Sequence, residues 1–207
     1  MKFVIPFKPL NPKSRLSNVL SEEERRKFAE LMLIDVLNVL KEFNDNIKVI
    51  STTRLDLDLG VEILVDPRSL DECINSELKE VPKAVVMSDL ALLNFETFER
   101  FLNCKEDLII APGRKGGTNM LLVRKGGFKV SYHYCSFLKH LNIARSLGFS
   151  YRVFDSFYSS TDIDDEEDLL ELLIHGEGKL SKRFLENLGF RINFEKIPSL
   201  IRSGKTL

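Results

Sequence analysis

Three observations predict an α/β fold in which helices cover both faces of a mostly parallel mixed sheet, a three-layer sandwich. Short β-rich apolar runs alternate with helical patterns along the chain. Several of those runs, Ala84-Val85-Val86-Met87 among them, are apolar nearly throughout, as strands covered on both sides are. The chain has 207 residues with 43% apolar content, enough for one sizeable core and too little for two independent ones. One domain over 1–207 is therefore expected, with 175–207 as an accessory element.

The elements follow in order. Lys2 to Pro6 is the first strand candidate, and Pro9 and Pro12 behind it stop a helix from starting early. The clearest helix opens at Ser21, where Ser21 and Glu24 form a capping-box pattern, and it carries Phe28, Leu31, Met32, Val36, Val39 and Leu40 on or near one face. Strands are expected at Lys48 to Thr52 and Glu62 to Val65, then a helix at Ser69 to Leu78, a strand at Lys83 to Met87 and a helix at Asn94 to Leu102. Asp107 to Ala111 and Met120 to Val123 read as strands. The glycine-rich stretch 113–128 reads as a loop or hairpin able to close over a site. A helix at Ser136 to Leu147, a strand at Arg152 to Phe154 and a helix at Asp165 to Ile174 complete the alternation. Beyond His175, a helical pattern from Leu180 to Leu188 and an apolar alternation at Phe190, Ile192 and Phe194 suit packing on a second subunit, so a homodimer is expected.

Composition excludes several classes. With 30 Lys and Arg against 31 Asp and Glu, no broad basic surface exists for nucleic acid or an anionic membrane, so a phosphate ligand must be bound locally. Cys73, Cys104 and Cys135 have no CxxC spacing and support neither zinc nor a disulfide framework; each is expected to be a buried, small apolar residue. The N-terminus is too soon broken by proline for a signal peptide, and no apolar run reaches membrane-spanning length, so a cytoplasmic protein is expected.

In a parallel sheet, ligands sit beyond the carboxyl ends of the strands, and polar segments follow several of the predicted strands. Lys8, Lys13 and Arg15 lie on a proline-stiffened loop and suit a triphosphate, with solvated surface cations as the alternative. Asp89 comes directly off a buried strand, where magnesium takes one or two carboxylates and fills its remaining positions with phosphate oxygens and water; a turn cap is the alternative. In the acidic run, Asp165 to Asp168 suit the first turn of a helix. Asp162 and Asp164 precede that helix and are better placed to meet a metal shared with Asp89. An EF-hand is excluded by spacing. The turn Gly116-Gly117-Thr118-Asn119 offers N–H groups and a hydroxyl to an anion but lacks the P-loop pattern. Ser136 and His140, at i and i+4, place a hydroxyl and an imidazole on one helix face, as phosphate donors or as an N-cap serine and a surface histidine. No Ser-His-Asp order is visible.

Taken together, these segments resemble the 2-phospho-L-lactate guanylyltransferase family, which acts in the synthesis of the deazaflavin coenzyme F-420. The likeness runs through Phe7-Lys8-Pro9, Lys13-Ser14-Arg15-Leu16-Ser17, Asp89-Leu90, Gly117-Thr118-Asn119, Ser136-Phe137-Leu138-Lys139-His140 and Asp162-Ile163-Asp164 with Asp168-Leu169. The resemblance implies a nucleotide-diphospho-sugar-transferase-like Rossmann variant, dimeric, using GTP and magnesium (Mg2+). It also implies Lys13 and Arg15 at the triphosphate, Asp89 with Asp162 at the metal, and Thr118 and Ser136 with 2-phospho-L-lactate; the reading of the residues adds Lys8 to the first group, Asp164 to the second and His140 to the third. Three positions depart from the family's pattern. Ala91 stands where a proline is usual, His133 where a glycine is usual, and Ile74-Asn75-Ser76 matches a middle-helix motif only loosely; His133 is expected to crowd or recharge the acceptor pocket. Two competitors stand beside this reading. One is another nucleotidyltransferase of the same fold with a phosphoenolpyruvate, phosphoglycerate or sugar-phosphate acceptor; the other is a non-catalytic nucleotide-binding module.

Overall fold

Alternate residues of a strand point to opposite faces of its sheet, and the core of this chain divides accordingly. In the computed structural model, which describes residues 1–194 and 197–203, seven strands form one sheet: β1 (Lys2–Phe7), β2 (Ile47–Ser51), β3 (Glu62–Val65), β4 (Lys83–Val86), β5 (Leu108–Pro112), β6 (Thr118–Val123) and β7 (Tyr151–Val153). Their spatial order is β3-β2-β1-β4-β6-β5-β7. Every pairing is parallel except those of β6, which runs antiparallel to both β4 and β5.

On one face, Phe3, Ile5, Val49, Ala84, Val86 and Ile109 pack with helices α1 (Glu22–Lys41), α3 (Phe95–Leu102) and α6 (Glu166–His175). On the other, Val4, Ile50, Val85, Ile110 and Leu121 pack with α2 (Leu70–Glu77) and α4 (Ser136–Ser146). The predicted three layers are thus present. Phe98 sits at the centre of the first face, edge-on to Phe3 with ring centroids 5.3 Å apart. Truncating such a ring to alanine costs about 3–5 kcal/mol.

Local chemistry sets the helix starts. The Ser21–Glu24 capping box is formed in both directions, and Ser69–Glu72 and Asp165–Asp168 repeat it at α2 and α6. A four-residue helix, α5 (Phe157–Ser160), was not foreseen. The glycine-rich stretch forms the β5–β6 hairpin.

The tail carries α7 (Leu180–Asn187) and a two-stranded antiparallel sheet of β8 (Phe190–Asn193) and β9 (Ser199–Arg202). It packs on α1 of its own chain. The buried Asp35 carboxylate accepts from the Leu180 and Ser181 N–H groups at 2.8 and 3.0 Å and from the Ser181 hydroxyl at 2.6 Å. Arg202 donates to Glu24 at 2.5 Å and to the Val19 carbonyl at 2.6 Å. Residues 195, 196 and 204–207 of the accessory segment lie outside the described residues.

The cysteine expectation needs correcting. Cys73 is buried, but Cys104 is partly open and Cys135 is exposed. Cys135 occupies a left-handed backbone position just before α4, which turns it out of the core.

Candidate active site

The carboxyl ends of β1, β2, β4 and β5 lie along one edge of the sheet. Because β6 runs the other way, its first residues, Thr118 and Asn119, start at that same edge, with Thr118 opposite Pro112. Loops converge there from the exits of β1 and β4, from the hairpin, and from the segments before α4 and α6. Among the described residues, five non-glycine residues have positive φ: Asn11, Lys13, Lys115, Tyr134 and Cys135. All five lie in loops bordering this edge. Such conformations cost of order 1 kcal/mol or more each and persist where the surroundings enforce them.

The centre is a knot of charge. Lys13 donates through Nζ to Asp89 Oδ2 at 2.8 Å and to Asp164 Oδ1 at 2.7 Å, with only 9% of its side chain exposed. Arg15 Nη1 reaches Asp164 Oδ2 at 3.2 Å. One carboxylate oxygen from each of Asp89, Asp162 and Asp164 lies within 4.8 Å of the others. One backbone link joins the segments that carry the three, Ile163 N–H donating to the Asp89 carbonyl at 3.1 Å, and beside it Met87 N–H donates to the Asn119 carbonyl at 3.0 Å, joining the end of β4 to β6. Burial opposes charge on Lys13, but the neighbouring Asp89 and Asp164 overcome it and raise its pKa. Burial and the charge of Asp89 raise the pKa of Asp162, against a hydrogen bond from Asn119.

Supporting residues to which the sequence reading gave no such role surround this knot. Asn119 Nδ2 donates to Asp162 Oδ1 and to the Ser159 carbonyl, both at 3.1 Å. Gly113 makes room for it, since a Cβ there would stand 2.2 Å from Asn119 Oδ1. Asp165 caps α6 as the first-turn reading expects, while Asp168 does more. It accepts from the Asp164 and Asp165 N–H groups at 2.9 and 3.0 Å and from Arg114 at 3.0 Å, tying the hairpin to the loop that carries Asp164.

Three adjoining chambers line the edge. The first, about 620 Å³ and mainly apolar, is bounded by Phe7, Lys8, Ile50, Asp66, Leu70 and Ser88. The second, about 220 Å³, shares Phe7, Lys8 and Ser88 with it and adds Lys13, Asp89 and Asp164. The third, about 380 Å³ and polar, shares Asp164 with the second and includes Arg15, Arg114, Lys115, Ser136 and Asp162. An apolar space, a charged waist and a polar space lined by three cations and three carboxylates therefore follow one another.

Of the three residues read toward the acceptor, only Ser136 lines the third chamber. Its Oγ lies 3.0 Å from Thr118 Oγ1, and Thr118 Oγ1 lies 3.0 Å from His140 Nδ1. His140 is fully buried behind them, and burial pulls its pKa down to about 4, so it is neutral near pH 7. His133 is not among the residues lining the chamber. It is 73% exposed and faces Asp71 at 3.7 Å, so the expected crowding does not arise.

The model of the family described as "Guanylyl transferase CofC like" matches residues 1–205. The chain belongs to this family. The 2-phospho-L-lactate guanylyltransferase of Archaeoglobus fulgidus is 55% identical over 202 residues, covering 98% of this chain and 97% of that protein. That of Archaeoglobus profundus is 52% identical over 206 residues, covering 100% and 99%. Membership in the CofC-like guanylyl transferase family makes the chain a nucleotidyltransferase, as its sequence implied. Among solved structures, one from Desulfovibrio desulfuricans proposed to be a nucleotide-diphospho-sugar transferase superposes with a TM-score of 0.75 at 16% identity, covering 90% of this chain and 95% of that one. That likeness establishes the expected fold. No helix among the described residues of this CofC-like chain is long and apolar enough to cross a membrane.

Proposed function

We propose that the protein transfers GMP from GTP to 2-phospho-L-lactate, giving lactyl-2-diphospho-5'-guanosine and pyrophosphate in the synthesis of coenzyme F-420. The observation that carries this reading is the order of the chambers, with the Lys13–Asp89–Asp164 knot between an apolar space and a polar one to which Arg15, Arg114, Lys115 and Ser136 bring donors. The first suits a nucleoside, the second a triphosphate and the third a small acid bearing a phosphate. Lys8 would face the triphosphate from the wall shared by the first two chambers.

An acceptor phosphate oxygen attacks the α-phosphorus. The bond from that phosphorus to the bridging oxygen breaks, and the electron pair leaves with pyrophosphate. The ionised acceptor is already a nucleophile, and no general base is assigned; neutral His140 is too deeply buried to reach it. Catalysis then rests on alignment and charge. Lys13 opposes the charge that grows on the leaving pyrophosphate, while Arg15, which lines the third chamber beside Asp164, faces the phosphates from the acceptor side. Three carboxylate oxygens within 4.8 Å, all hard donors, fit a divalent cation, so Asp89, Asp162 and Asp164 would hold magnesium. Magnesium, when bound, supplies charge neutralisation between phosphates. Asn119 keeps Asp162 aimed at the cluster, and Asp168 does the same for the Asp164 loop. A single cytoplasmic nucleotidyltransferase domain working as a homodimer completes the proposal.

The test is pyrophosphate release from GTP with magnesium and 2-phospho-L-lactate, run beside phosphoenolpyruvate, the other nucleoside triphosphates and a chelated sample. Release that requires GTP, the acceptor and the divalent cation is expected. Faster turnover with another acceptor or nucleotide would replace the substrate assignment. Nucleotide binding without release from any pair would favour a non-catalytic module.

A further inference from the structure

His140 is fully buried, lines none of the three chambers, and yet both of its ring nitrogens are engaged. The Ser131 backbone N–H lies 2.9 Å from Nε2 and can only donate. Nε2 therefore carries no proton, and the neutral ring holds its hydrogen on Nδ1. From Nδ1 it donates to Thr118 Oγ1 at 3.0 Å.

The Thr118 hydroxyl is buried, and its bonds among the described residues are to His140 and to Ser136 Oγ at 3.0 Å. With His140 donating, Thr118 keeps its own hydrogen paired only by donating to Ser136. The opposite direction would leave a buried hydroxyl hydrogen unmatched, which is costly. Ser136 Oγ then accepts from Thr118, and its hydrogen is released toward the chamber it lines.

We propose that His140 is a positioning residue that sets the direction of this hydroxyl chain, so that Ser136 presents a hydrogen rather than a lone pair to an anionic oxygen of the acceptor. The order runs Ser131 N–H, His140, Thr118, Ser136, ligand. The ligand end rests on the acceptor assignment of the third chamber; the proton order does not.

Two measurements separate those parts. Nitrogen-15 NMR of the ring at pH 7 reads the tautomer directly in the wild-type protein. Hydrogen on Nδ1 with bare Nε2 is expected, and hydrogen on Nε2 overturns the proposal. The second measurement compares H140N and H140Q in the pyrophosphate-release assay. Asparagine places an N–H near the position of Nδ1 and can still donate to Thr118, whereas glutamine reaches the position of Nε2 and serves only Ser131. H140Q should raise KM for the acceptor about tenfold or more while KM for GTP stays within about twofold; H140N should raise it far less. Equal effects of the two variants, or equal effects on both substrates, overturn the proposal. A wild-type protein with the expected tautomer but no turnover would strike the acceptor assignment and leave the proton order standing.

Discussion

Asp35 is buried and Asp162 half-buried, and the chain treats them in opposite ways. At the junction of α1 and α7, Asp35 accepts from two backbone N–H groups and one hydroxyl, all within 3.0 Å. At the cleft, the one side-chain donor to Asp162 among the described residues is Asn119, and the negative Asp89 stands nearby. Saturated by rigid neighbours, the first carboxylate joins two helices. The second is left short of positive charge among other acids, with Lys13 and Arg15 as the only cations bonded to the cluster among the described residues. Whether a carboxylate's donors are complete separates the two roles better than burial does.

Disturbing the cleft should produce the largest effect. Asp89→Asn is expected to lower kcat/KM on the order of 10³-fold in the pyrophosphate-release assay, with thermal unfolding almost unmoved. Loss of activity that tracked loss of folding would erase the contrast with Asp35. The mirror experiment is Asp35→Ala, which strands three donors at the start of α7. Urea denaturation should show a loss of about 3 kcal/mol, while the folded fraction keeps GTP turnover within about twofold.

A third test uses a group buried without charge. His140 has a folded pKa of about 4 against 6.5 for an ordinary histidine. As pH falls below 6.5 the unfolded chain therefore takes up its proton first. The stability associated with the neutral ring is intact above that pH and drains away toward pH 4. At pH 5 the loss from this site should be about 2 kcal/mol, measured as the urea-midpoint difference between pH 7 and 5 and reduced in H140N. The smallest effect belongs to Lys115→Ala. Its pair with Asp165 leaves the lysine side chain 74% exposed, and the urea midpoint should not move measurably. A measurable loss would mean that the hairpin relies on this outer pair as well as on Arg114–Asp168.

What the sequence disclosed follows from the range of each signal. Buried strands are uninterrupted apolar runs, Lys13 and Asp89 stand in the polar loops that follow two of them, and Asp162 and Asp164 stand in the acidic run before α6, so fold and cleft both show in local pattern. The antiparallel direction of β6 does not, because a short apolar run reads the same both ways. Phe157–Ser160 is too short to display a helical period. Arg114 and Asp168 meet across 54 residues, a distance no spacing rule spans. For His140, the i and i+4 relation to Ser136 identified a shared helix face but not whether that face would be covered. The crowding expected of His133 fails for a related reason: its position three residues before Ser136 says nothing about its direction, and the side chain faces Asp71 on α2.

Lys13 bonds to partners 76 and 151 residues further along the chain. No fragment that fails to span residues 13–164 therefore contains all three charges, and during synthesis they cannot meet until most of the chain has emerged. Closing loops of that length is slow relative to forming helices, which places completion of the cleft late in folding. A compound that binds there holds the first and last thirds of the chain together at once, so its affinity adds to the stability of the whole molecule rather than to one segment.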